Sequence, residues 1–193
     1  MTATAEPTTD RTAALTGALT EQGWTYTREP YAEPQFRIQV HPLDSPDGRL
    51  HIDASRHRDD GFMIARLSAE AVRTDPGRRP GWMVELHEVP LPVALAAVKA
   101  ADPDHRPASA AEIAAALTAD GWTQREDITE RGRLLERAWD SPDCTSNLSH
   151  LPGDKFESGY WLVSRPGPDG KNAESQISQY TPAAVITTLA LTD

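Results

Sequence analysis

The strongest constraint on this chain is that it repeats itself. Self-similarity at a fixed spacing marks a fold built from copies of one unit. Leu15, Leu19, Thr20, Gly23, Trp24 and Thr25 return as Ile113, Leu117, Thr118, Gly121, Trp122 and Thr123, each 98 residues on. Ser45-Pro46-Asp47 returns as Ser141-Pro142-Asp143 at a spacing of 96, and Gly61-Phe62-Met63-Ile64 as Gly159-Tyr160-Trp161-Leu162 at 98. Leu86, Leu95 and Val98 match Ile177, Ile186 and Leu189 at 91, behind a shorter loop. Four landmarks in one order divide the chain into units at 12–103 and 108–193. Asp102 to Pro107, with two prolines and no apolar residue, punctuates them, with 104–107 as the linker. Residues 1–11 read as a disordered tail.

Each unit opens with a short helix. Ser109 and Glu112 have capping-box spacing, Ile113, Ala116 and Leu117 form a stripe, and Gly121 ends it. Thr12, Leu15, Ala18, Leu19 and Gly23 repeat this with a weaker cap. Phe36, Ile38 and Val40 alternate with polar residues, as do Leu50, Ile52 and Ala54, the period of a half-buried strand. Phe62–Leu67 and Trp82–Val89 add two more strands, and a helix near Pro92 carries Leu95 and Val98 inward. The second unit repeats this at Tyr160–Ser164, Ser175–Tyr180 and a helix begun by Pro182. The predicted class is α+β: two tandem helix–antiparallel sheet–helix units of four to five strands, related by a pseudo-two-fold.

The Ser45-Pro46-Asp47-Gly48 turn, Gly61–Ile64, Gly81-Trp82-Met83-Val84 and Pro92-Val93-Ala94-Leu95 together resemble the actinobacterial domain-of-unknown-function family numbered 317. Tyr180-Thr181-Pro182 matches the threonine–proline helix start of that family. Cys144 departs from its turn glycine, and Leu91 stands in place of the threonine. The resemblance spans most of both units and implies a Streptomyces-like source, which 16 Arg to 3 Lys suits. It implies no activity and transfers no catalytic residue.

Composition excludes whole classes. Net charge is −10, from 19 basic and 29 acidic residues, shared evenly at −5 on either side of residue 105. Such a surface does not grip nucleic acid over its whole extent. One cysteine, Cys144, excludes an internal disulfide and a cysteine-cluster metal site. No stretch reaches the ~18 apolar residues of a membrane span, and Met1–Asp10 lacks a signal-like apolar run, so a cytoplasmic location is expected.

His41, His51, Asp53, His57, Asp59 and Asp60 are the densest set of metal-ligating types. A metal needs three or four of them to converge, and an exposed polar strand followed by a charged turn is the simpler reading, so no metal or cofactor is implied. Cys144 beside Asp143 reads as an incidental turn thiol. Ser141, His150 and Asp154 lack the elbow of a nucleophile triad. The prolines beside Gly167 and Gly170 remove donors that a phosphate loop needs, so Gly167–Lys171 reads as a hairpin tip.

The loop between the third and fourth strands is basic in both units: Arg73, Arg78 and Arg79, then Arg165 and Lys171. Phe62 and Trp82, or Tyr160 and Trp161, flank it, and arginine beside an exposed aromatic is the pairing that binds single-stranded nucleic acid. Trp24 and Trp122, duplicated in register, are core anchors. Trp139 has no evident counterpart and is the candidate for an exposed or inter-unit contact. The leading expectation is a non-enzymatic module that engages another protein through a sheet face or the groove between units, with self-association open. Single-stranded nucleic-acid binding is the alternative, and a small metal enzyme around His51 comes last.

Overall fold

In the computed structural model, residues 10–59, 61–74, 77–102, 106–154 and 157–192 are described, with backbone alone for 73–74, 77–79 and 169. The fold is α+β: one twelve-stranded antiparallel sheet with four helices packed on one face. Helix α1 (Arg11–Glu21) is followed by strands β1 (Thr25–Tyr26), β2 (Tyr31–Glu33), β3 (Ile38–Asp44), β4 (Leu50–His57) and β5 (Met63–Ala69). A small hairpin, β6 (Val72–Thr74) and β7 (Gly77–Arg79), then leads to β8 (Trp82–His87) and α2 (Leu91–Ala100). The remaining elements are α3 (Ala110–Ala119), β9 (Thr123–Gln124), β10 (Ile128–Glu130), β11 (Arg133–Asp140), β12 (Asn147–Leu151), β13 (Tyr160–Pro166), β14 (Asn172–Ser178) and α4 (Ala183–Leu191).

The large sheet runs β1-β3-β4-β5-β8-β14-β13-β12-β11-β10, with β2 also on β3 and β9 also on β11. Strands β8 and β14 meet at its centre, where Val84 faces Ile177, Glu85 faces Gln176 and Leu86 faces Ser175. The strand count exceeds the expected four to five per unit because the short β1, β2, β9 and β10 add rungs at the ends. On the covered face α1 packs on α2, α2 on α4 and α4 on α3.

Alternation along each strand sends one set of side chains under the helices and the other to the opposite face of the sheet. One covered row runs Leu43–Ile52–Leu67–Val84–Ile177–Trp161–His150, rung by rung across seven strands. The next runs Ala54–Ala65–Leu86–Ser175–Val163–Leu148–Trp139. Leu15, Leu19, Val93, Val98, Ile113, Leu117, Ile186 and Leu189 of the helices complete one continuous core.

Local chemistry sets the helix ends. The Asp10 side chain accepts from Ala13 N–H, so α1 starts at Arg11, inside the stretch 1–11 expected as a tail, of which residues 1–9 lie outside the described residues. Ser109 and Glu112 form the capping box of α3. Gly23 and Gly121, at φ +88° and +83°, close α1 and α3, and Trp24 and Trp122 N–H reach back to Leu19 and Leu117 carbonyls. That is the left-handed C-terminal cap that favours glycine.

Two expectations are corrected here. Phe36 does not open β3: it sits in the turn before it, 62% exposed, and the strand begins at Ile38 after Arg37 turns left-handed at φ +57°. Trp139 is not an exposed contact. It is fully buried, facing Leu148 on β12 and stacked against Trp161 with ring centroids 6.4 Å apart.

Candidate functional site

Among the described residues no helix covers the other face of the sheet, and it is where polar chemistry collects. Its central row reads Pro42–Asp53–Arg66–Glu85–Gln176–Leu162–Ser149–Ala138 across eight strands. Arg66 donates two hydrogen bonds to Glu85, at 3.0 and 2.6 Å. Burial pushes the Glu85 carboxyl up, but Arg66 and His87 more than offset this and leave it below its ordinary value. His51 bridges Asp44 at 2.8 Å and Asp53 at 3.2 Å on the same face.

Toward the β2 edge this face sinks into a groove of about 300 Å³. Ile38, Val40 and Ile64 form its apolar floor, Tyr31 and Phe36 its aromatic wall, and Glu33, Asp53, Ser55 and Arg66 its polar rim. The sequence explains the shape. The turn through Phe36 and Arg37 folds β2 back onto β3, pairing Tyr31 with Val40 and Glu33 with Ile38. The Arg28 guanidinium lies over the Tyr31 ring at 3.9 Å, a cation–π contact that holds this wall.

The metal-ligating set is dispersed. His41 faces Ala54 under the helices, where burial lowers its pKa and Asp10 partly offsets the effect. His51 and Asp53 lie on the opposite face, hydrogen-bonded to each other. Asp59 pairs with Arg37 at 2.7 Å, His57 ends β4, and Asp60 lies outside the described residues. Among the described residues no group of three histidine, cysteine or acidic side chains could hold a metal ion.

The aromatic residues that flank the basic loops are buried or half-buried. Trp82 and Trp161 are buried, Phe62 is half-buried with its edge toward His87, and Tyr160 is half-buried. Arg165 faces the helix layer and donates to the Leu189 carbonyl at 3.1 Å. Lys171 is exposed beside the turn Pro168–Gly170, the expected hairpin tip. Val72 faces Arg79 and Arg73 faces Arg78 in the β6–β7 hairpin, but the side chains of Arg73, Arg78 and Arg79 lie outside the described residues. In the letters of the rejected triad, Ser141 donates to Asp143 at 2.6 Å, Asp154 pairs with Arg133, and His150 stacks on Trp161 at 4.1 Å.

Alternation alone did not single out the groove, because Phe36 read as a strand residue and Tyr31 and Glu33 carried no signal. The detectable sign was Arg37 with Pro34 and Gln35, a polar interruption before a regular strand. No family model matches the chain, no curated protein matches it, and no solved structure matches it. Among the described residues no helix is long and apolar enough to cross a membrane.

Proposed function

We propose that this protein is a non-enzymatic, cytoplasmic interaction module, a duplicated unit that engages another protein through its uncovered sheet face. The groove beside β2 carries this reading: Phe36 stands 62% exposed at its wall, with Tyr31, Ile38 and Ile64 half-buried around it, on a face that no helix covers among the described residues. An exposed apolar patch with a polar rim is the usual mark of a docking surface.

Several paired features support duplication about a pseudo-two-fold. The strand order reads alike from either end, and Glu85 faces Gln176 at its midpoint. Met63 N–H donates to the Glu88 carboxylate, and Gly159 N–H donates to the Gln179 side-chain oxygen. These bonds relate Met63 to Gly159 at a spacing of 96, so the sequence alignment at 98 slipped by two residues, which leaves side chains on their proper faces. The helix starts Pro90 and Pro182 likewise give 92 for the last helix, where the alignment had 91. The same landmark residues support placing the chain with the domain family numbered 317.

Site-specific photo-crosslinkers at positions 36 and 64, with a control at the exposed Ala115 on the helix side, test the function. Protein adducts from host lysate at 36 and 64 but not at 115, with protection of β3–β5 amides by the purified partner, are the expected result. Adducts that vanish on nuclease treatment, or arise equally from 115, would overturn it.

A further inference from the structure

Resting on the docking-face reading, we infer that the groove takes a basic, apolar segment of the partner: a large aliphatic side chain on the Ile38–Val40–Ile64 floor, with a lysine or arginine on Glu33 and Asp53. The volume, about 300 Å³, holds one or two side chains of an extended segment. The charge is set by neighbours. Arg66 is the one basic residue among those lining the groove, and its guanidinium is engaged by Glu85. Among the described residues Glu33 and Asp53 stand at the rim without a lysine or arginine partner, with His51 bridging Asp53 to Asp44, and the exposed Glu174 lies further along the same face. Charge complementarity of this kind selects a cationic partner and repels a phosphate backbone.

The other end of the sheet has only a smaller groove, about 160 Å³, lined by Leu135, Leu151 and Tyr160, and there Asp154 is paired with Arg133. Where the first groove has Asp53 facing Pro42 and Arg66, Ser149 faces Ala138 and Leu162 and donates to Glu136 at 2.6 Å, closing that carboxylate off. The groove beside β2 is therefore the larger and the more open in its charge, and the stoichiometry is one segment per chain.

Three eight-residue peptides test this by amide-resolved NMR titration of the intact protein: alternating Leu–Lys, alternating Leu–Glu and alternating Ser–Lys. The expected result is one-to-one binding of Leu–Lys, with shifts centred on Ser55 and Ile64. Leu–Glu and Ser–Lys should bind at least about tenfold more weakly, and Glu33→Gln with Asp53→Asn should weaken Leu–Lys by about tenfold or more. Phe36→Ser, at an exposed turn that folding does not need, should weaken it as well. Equal affinity for Leu–Glu, shifts centred elsewhere, or two peptides per chain would overturn the inference. If crosslinks at 36 and 64 capture a protein while Leu–Lys shows no preference, the docking face stands and only the basic partner falls.

Discussion

Arg11 and Glu88 form an ion pair at the edge of the core: the Glu88 side chain is fully buried and that of Arg11 is 14% exposed. Glu88 also accepts from Met63 N–H at 2.9 Å and holds a left-handed backbone at φ +55°. The pair clamps the first turn of α1 to the corner between β8 and α2. In the other half Gln179 makes the corresponding backbone contact to Gly159 without a charge.

Removing one partner of a buried pair leaves the other charge uncompensated, which costs about 3–5 kcal/mol. Arg11→Ala should lower unfolding free energy in urea by that much. Arg11→Met with Glu88→Gln should recover most of the loss, because glutamine serves the same bond in the second half. Equal destabilisation by both would show that the ion pair itself is not the cause.

Cys144 is exposed and adopts φ +58°, close to the +68° of Gly48 in the matching turn. A side chain in that conformation costs roughly 1–2 kcal/mol that glycine escapes. Cys144→Gly should therefore raise the denaturation midpoint, by about 1 kcal/mol in stability, and Gly48→Ala should lower it. Both are read by urea unfolding under reducing conditions.

Trp139 is a core residue, and Trp139→Ala should cost about 3–5 kcal/mol. Its indole N–H is buried without a hydrogen-bond partner among the described residues, so Trp139→Phe should restore most of that stability. Urea unfolding gives both values, and the native fluorescence should change because Trp161 loses a stacked neighbour. A neutral Trp139→Ala would mean that the side chain lies at the surface.

Two pH windows follow from shifted groups. Hydrogen bonds from Ser45 and Arg49 lower Asp47 to about 2, and Ser141 and Thr145 lower Asp143 in the same way. A carboxyl depressed on folding stabilises above its unfolded pKa, and that contribution is lost as pH falls from about 3.8 through the folded value. Asp47→Asn and Asp143→Asn should flatten the stability profile there. Burial, then Arg137, lowers His150 below 6.5. The unfolded chain then takes up the proton first, so stability falls as pH drops below 6.5. His150→Phe should remove part of that slope in chemical denaturation at pH 5 to 7.5.

Much of the fold was legible locally. The Ser109–Glu112 cap, the glycines at 23 and 121, and the alternation through Ile38–Val40 and Leu50–Ala54 each rest on interactions within a few residues. Trp139 misled because no tryptophan precedes the first turn. It lies on the covered face of β11 opposite Leu148 and stacked on Trp161, neighbours that only strand pairing supplies. Phe36 misled because its alternation with Val40 continued past the strand into a turn without glycine.

From its sequence alone this chain was committed to half-buried strands and capped helices, because side-chain alternation and cap chemistry act between near neighbours. Only the tertiary structure decided that β8 joins β14 into one sheet, that all four helices cover the same face, and that Glu85 draws Arg66 away from Asp53. Those outcomes depend on which strands lie side by side, and strand pairing brings together residues far apart in the chain.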